Sequence, residues 1–215
     1  MDITVYYTDI DTSLGIDHYI QLSALVSDER RERVRRMIPE KGKIMCLMSE
    51  VVMRSHLSRL TGVPVKDIIL GKGEHGKPCM TGANIPFSLS HSENRIIFAH
   101  ARTPIGIDIE LRESGRSGIA ERFFTPNEYE RIISSSDADS TFYDIWTAKE
   151  AYIKMTGEGL SRSLSSFDVI SQMQGMIATV HTDGYTVSVC CEGIDRIITE
   201  NYPLTPAVLD KLLGL

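Results

Sequence analysis

The sequence predicts an α+β protein in which one element pattern is used twice. Three observations carry this. The chain opens on an alternating strand-like segment at 3–8, two long helical patterns lie at about 42–60 and 140–156, and strand signals gather at 85–110 and 166–199. Each half starts or ends with strands and carries helices between them, an α+β arrangement. The halves share element order rather than residues, and the boundary is expected near Arg102-Thr103-Pro104, giving halves 1–103 and 104–215.

Taken in order, Ile3-Thr-Val-Tyr-Tyr-Thr8 alternates as a strand. Ser27 is an N-cap, followed by Asp28 and Glu29 in the first turn and arginines toward the end, the arrangement the helix dipole favours. The helix at 42–60 places Ile44, Leu47, Met48, Val51 and Val52 near helical spacing, and Thr61-Gly-Val-Pro64 stops it. Residues 68–79 read as strand then loop, 85–101 as strands around a polar centre, and 104–110 as a further strand. Thr125-Pro-Asn-Glu128 is a capping box with proline at the first helical position. Ser134–Asp137 is a surface turn, and the next helix closes at Met155-Thr-Gly157. The segment 166–199 predicts a β-meander, with strands at 167–170, 176–180 and 185–191 and Asp183-Gly184 as a hairpin turn.

At 215 residues, with 42% hydrophobic and 24% charged residues, the composition is that of a globular protein. A net charge of -6 argues against nucleic-acid binding by bulk charge. Five arginines in residues 30–36 make a local basic patch suited to a small anionic ligand. The four cysteines form no Cys-x-x-Cys pair, so free buried thiols in a reducing cytosol are expected. With no signal-like N-terminus and no transmembrane-length run, the expectation is a cytoplasmic protein that does not engage membranes.

Two short motifs carry the chemistry. In Gly106-Ile-Asp-Ile-Glu110, Asp108 and Glu110 stand two apart on a strand and so share a face. Apolar neighbours imply burial, and buried acids need a partner, which a cation would supply. In Trp146-Thr-Ala-Lys-Glu-Ala-Tyr-Ile-Lys154, Glu150 and Lys154 share a helical face, which taken alone describes an ordinary surface pair. Together, three acids with Lys149 and Lys154 describe phosphate chemistry with magnesium. Ser90 and His91 are adjacent on a strand and point to opposite faces, so they do not make a nucleophile–base pair. Neither a Walker A nor a Gly-x-Gly-x-x-Gly motif is present.

The ordered set Gly76-Lys-Pro78, Phe87-Ser-Leu-Ser-His-Ser92, Gly106-Ile-Asp-Ile-Glu110 and Trp146–Lys154, with the basic helix near residue 30 and Arg122–Tyr129, resembles the Sfp-type 4′-phosphopantetheinyl transferase family over most of the chain. The resemblance implies a single-chain pseudo-dimer of two α+β halves with the site between them. It also implies transfer of 4′-phosphopantetheine from coenzyme A to a serine of an apo acyl or peptidyl carrier protein, releasing adenosine 3′,5′-bisphosphate. Asp108, Glu110 and Glu150 would then hold Mg²⁺. Glu150 would also take the serine proton, and Lys154, with Lys149, would stabilise the pyrophosphate. Lys77 and Pro78, with Gly76, would sit by the adenine and ribose. Ser90 and His91 would contact phosphates, and Arg30 and Arg33 the 3′-phosphate. The chain departs from the family pattern at Met45, where an arginine is usual, at Gly42 and at Ser88, with Lys41 or Lys43 as candidate replacements. The carrier is expected to dock on Leu111–Phe124, steered by Arg112, Arg116 and Arg122, with Leu111, Ile119, Phe123 and Phe124 as apolar contacts and at least one of the two phenylalanines in the core. A monomer is expected. The competing reading is a non-catalytic coenzyme A-binding regulator of the same fold. A protein-interaction module whose acids are surface decoration is a third, and a serine hydrolase a distant fourth.

Overall fold

The structure is a computed structural model and describes residues 1–73, 75–159, 162–205, 208, 209 and 212. The expected second half, 104–215, therefore ends outside the described residues. A four-stranded sheet is ordered β4-β5-β1-β9, from strands β1 (Asp2–Asp9), β4 (Phe87–Ser92), β5 (Arg95–His100) and β9 (Arg196–Asn201). A three-stranded sheet is ordered β6-β8-β7, from β6 (Ile105–Leu111), β7 (Ile177–Thr182) and β8 (Tyr185–Cys191). β2 (Leu70–Lys72) and β3 (Pro78–Met80) make a separate small hairpin. The helices are α1 (Ile16–Tyr19), α2 (Asp28–Arg36), α3 (Glu40–Thr61), α4 (Ala120–Phe123), α5 (Pro126–Ile133), α6 (Ala138–Thr156) and α7 (Val169–Gln172).

The helix ends follow local chemistry. The Ser27 hydroxyl accepts from Arg30 N–H at the start of α2. Thr125 and Glu128 satisfy each other's backbone donors in a capping box at the start of α5. Gly62 and Gly157 close α3 and α6 in the left-handed conformation. Asp183 and Gly184 both have positive φ, as a type I′ hairpin turn between β7 and β8 requires.

Two expectations change. Residues 167–170 are not a strand. The Asp168 carboxylate accepts from Ser171 N–H and caps α7, so the first element of the expected meander is a helical turn. β9, which follows the expected second half's other strands, pairs in parallel with β1 and so extends the first half's sheet. Of the cysteines, Cys46, Cys190 and Cys191 are buried free thiols, whereas Cys79 is exposed. Among the described residues, no helix is long and apolar enough to cross a membrane.

One core cluster spans the two sheets. Ile3, Val5, Ile97 and Ala99 pack with Ile105, Ile107, Ile109 and Val189. α6 lies against β6 at Gly106, where a Cβ would fall 1.9 Å from the Ala151 carbonyl oxygen and 2.3 Å from Met155 N. Only glycine permits this backbone-to-backbone approach, which brings the second motif against the first.

Candidate active site

The edge strands β4 and β6 run side by side at the seam between the sheets, and α6 crosses behind β6. On β6 the odd positions Ile105, Ile107 and Ile109 face the core. The even positions Asp108 and Glu110 therefore face the other way, toward α6 and β4. On α6, Glu150 and Lys154 are one turn apart and reach the same place. A cleft of about 780 Å³ opens there, with Asp108, Glu110, Glu150 and Lys154 in its lining.

Asp108 is the most enclosed of these groups, at 4% exposure. Its Oδ1 accepts from Lys154 Nζ at 2.6 Å and from Ser90 Oγ at 2.7 Å, and Lys154 also donates to Ser90 Oγ at 2.8 Å. Its Oδ2 is buried without a hydrogen-bond partner. Glu110 Oε2 accepts from Ser92 Oγ at 2.9 Å. Burial, followed by the negative charge of Asp108, pushes the Glu110 carboxyl up to about 7. The same two causes raise Glu150, with Lys154 opposing them. Among the described residues, no three His, Cys, Asp or Glu side chains converge as a finished metal cluster. The donor set nevertheless fits a hard divalent cation. It offers an orphaned buried carboxylate oxygen beside two acids whose ionisation is disfavoured by burial and then by the Asp108 charge, both of which a bound cation would offset.

Around the acids the cleft turns basic. The guanidinium groups of Arg30 and Arg33 line it, together with the His91 imidazole. Arg30 is anchored, with Nε 3.1 Å from Glu50 Oε2 and an Nη1–H donating to the Cys46 carbonyl at 3.2 Å. Glu50 is itself clamped by Arg54 and by Ser27 N–H, so the guanidinium sits on a rigid mount. His91 is at the exposed rim, while Ser90 is buried against Asp108, the opposite facing predicted from the strand. Its imidazole is held below the usual range by the cleft walls and by Lys154, Arg30 and Arg33, with Asp108 pulling the other way. Gly76, Lys77 and Pro78 also line the cleft. Lys77 Nζ donates to the Ile105 carbonyl at 2.8 Å, which ties the turn before β3 to the start of β6.

One site residue is elsewhere. Lys149 is fully buried and bound to Glu128 at 2.7 Å and to the carbonyls of Leu164 at 2.7 Å and Phe167 at 2.5 Å. It faces away from the cleft, which corrects its expected contact with pyrophosphate. Met45 and Gly42 do line the cleft; Lys41 and Lys43 do not, and Lys41 is paired with Glu93. Within the expected docking segment, Phe124 is core at 4% exposure, while Phe123 and Ile119 are exposed. Arg112 is committed to the Tyr185 carbonyl at 2.8 Å and Arg116 to Glu113 at 2.6 Å. Trp146 also lines the cleft, and Ser92 stands beside it, bonded to Glu110; the sequence gives neither a role. The signal for Ser92 was available, since it shares a strand face with Ser88 and Ser90.

Comparison with known proteins gives a consistent result. A model of the 4′-phosphopantetheinyl transferase superfamily matches residues 104–207, and one described as 4′-phosphopantetheinyl transferase, N-terminal, matches 16–103. The chain is 35% identical over 185 residues to 4′-phosphopantetheinyl transferase ffp of Bacillus subtilis, covering 85% of this chain and 83% of that protein. It is 32% identical to 4′-phosphopantetheinyl transferase Sfp of Bacillus subtilis strain 168, with the same coverage. It is 35% identical over 148 residues to 4′-phosphopantetheinyl transferase gsp of Aneurinibacillus migulanus, covering 68% of this chain and 62% of that one.

Proposed function

The chain belongs to the 4′-phosphopantetheinyl transferase family and is an enzyme, and from that premise we propose that it moves 4′-phosphopantetheine from coenzyme A to a serine hydroxyl of an apo acyl or peptidyl carrier protein with Mg²⁺. The observation that carries this reading is Asp108, buried between Lys154 and Ser90 with one oxygen unpartnered, in a cleft that Arg30, Arg33 and His91 also line. Such a cleft suits a donor with several phosphates.

Asp108, Glu110 and Glu150 would hold the Mg²⁺, which when bound supplies neutralising charge for a pyrophosphate and its leaving group. Arg33 and His91, with the mounted Arg30, hold the 3′-phosphate. Met45 contributes no charge there, so the grip on that phosphate falls to these three groups. Gly76, Lys77 and Pro78 border the adenine and ribose. Ser90 holds Asp108 and Lys154 in register beneath the phosphates. Glu150 accepts the proton of the carrier serine, directly or through water, as that oxygen forms its bond to phosphorus. Lys154 donates to the phosphate oxygens as the bond to adenosine 3′,5′-bisphosphate breaks, a charge-assisted contact that strengthens as negative charge builds.

The halves 1–103 and 104–215 act together, the first supplying the basic and adenine contacts and the second the acids and Lys154. The carrier docks by the Leu111–Phe124 segment, where Ile119 and Phe123 are exposed and Arg122 lies over the Phe123 ring. The enzyme works as a monomer in the cytoplasm, without nucleic acid or membrane.

The test is the intact mass of an apo carrier protein after incubation with this enzyme, coenzyme A and Mg²⁺, against EDTA and the Glu150→Ala variant. A gain of one phosphopantetheine group that both controls abolish is expected. A gain that survives EDTA would remove the metal from the reading.

A further inference from the structure

We propose that Ser92 is a positioning residue that holds the Glu110 carboxylate in place to take the metal ion. This rests on the Mg²⁺ reading above and goes beyond it in assigning a function to a side chain outside the ligand set.

β4 carries a hydroxyl at every second position, Ser88, Ser90 and Ser92. It is the edge of one sheet, and β6 is the edge of the other. Two adjacent edges normally present open rows of N–H and C=O groups. Here the β4 hydroxyls reach across instead. Ser88 Oγ accepts from Ile107 N–H at 3.1 Å. Ser90 Oγ donates to Asp108. Ser92 Oγ donates to Glu110 Oε2 at 2.9 Å and accepts from Leu111 N–H at 3.0 Å.

The two acids are supported unequally. Asp108 is gripped by Ser90 and by Lys154. Among the described residues, the Glu110 carboxylate has Ser92 as its one hydrogen-bond partner. A serine hydroxyl has one proton and two acceptor positions. Leu111 N–H occupies one acceptor position and pins the oxygen, which leaves the proton aimed at Glu110. A β6 backbone group thus orients, through Ser92, the carboxylate of the residue before it. A carboxylate held in this way keeps its second oxygen free, the arrangement seen where ligands are supported from behind.

The experiment compares wild type with Ser92→Ala, Ser92→Thr and Ser88→Ala. Ser88→Ala removes a seam hydrogen bond without touching either acid. Three quantities are measured: Mn²⁺ binding in the presence of coenzyme A by electron paramagnetic resonance, the Mg²⁺ concentration giving half-maximal transfer, and KM for the carrier. Ser92→Ala is expected to weaken Mn²⁺ binding and raise the Mg²⁺ half-saturation by about 10-fold, with carrier KM unchanged. Ser92→Thr keeps the hydroxyl and restores most of the loss, and Ser88→Ala leaves metal affinity as in wild type. Wild-type Mn²⁺ affinity in Ser92→Ala overturns the proposal alone. Equal weakening in Ser88→Ala overturns it too, by tracing the effect to the seam rather than to Glu110. A wild-type enzyme that binds no Mn²⁺ with coenzyme A present overturns the metal reading and this proposal with it.

Discussion

Lys149 and Lys154 sit on α6 about 140° apart around its axis, so their ammonium groups meet different surroundings. Lys154 is within about 40° of Glu150 and lies beside Asp108 in the cleft, 30% exposed along its side chain. Lys149 lies under α5, where its charge and that of Glu128 are both at 0% exposure. Burial lowers the readiness of Lys149 to hold its proton, and Glu128 opposes that. Taking one partner from such a pair leaves a buried charge uncompensated. Lys149→Met is therefore expected to cost about 3–5 kcal/mol of stability, read by chemical denaturation, and to lose activity only as it loses fold. Lys154→Ala leaves Asp108 its bond to Ser90, so the fold should persist while transfer falls by about 10²–10³-fold, read by steady-state kinetics at saturating coenzyme A. A Lys149→Met protein of wild-type stability that fails to transfer would return Lys149 to the catalytic groups.

Between elements, the decisive contact is α6 on β6. Gly106 lets the Ala151 carbonyl come where any Cβ would stand, with both opposing atoms in backbone that cannot rotate away. In Gly106→Ala the helix must lift from the strand. The expected loss is about 3 kcal/mol, the upper part of the range for overpacked sites, measured as the denaturation midpoint. Transfer by the protein that remains folded should fall as well, because Glu150 and Lys154 ride on α6 while Asp108 and Glu110 ride on β6. A Gly106→Ala enzyme with wild-type turnover would show that the two elements need not touch here. The glycine was plain in the sequence and so were the acids, because i,i+2 on a strand and i,i+4 on a helix are local rules. The caps at Ser27 and Thr125, the stops at Gly62 and Gly157 and the turn at Asp183-Gly184 were legible for the same reason. The segment 167–170 misled because its β-branched residues resemble a strand, while Asp168 turns the chain by capping α7 and bonding to Thr125 and Asn127. Lys149 misled although helical geometry already separated it from Lys154. The pairing of β9 with β1 joins residues as far apart as Asp2 and Arg196, and no local pattern records it. The hydroxyl seam between β4 and β6 was hidden likewise, since its bonds depend on two edges that only the folded chain brings together.

At the scale of the whole molecule, the two proposed halves are bound by more than a linker. The core cluster of Ile3, Val5, Ile97 and Ala99 continues into Ile105, Ile107, Ile109 and Val189 without a polar break. β9 returns from the end of the chain to extend the first sheet. Arg95 on β5 bonds Asp9 at 2.7 Å and reaches Asp183, in the β7–β8 turn, at 3.2 Å. A chain of this size with two independent halves would be expected to unfold in two steps. Shared core and crossed strands predict one. Trp146 is the single tryptophan, and it sits on α6 in the second half. Its fluorescence therefore reports that half, whereas far-ultraviolet circular dichroism reports the backbone of both. In guanidinium titration the two signals are expected to share one midpoint and one slope. A fluorescence transition displaced from the dichroism transition would mean that the halves separate before they melt. The cleft would then be lost by opening at the β4–β6 seam, with each half still folded.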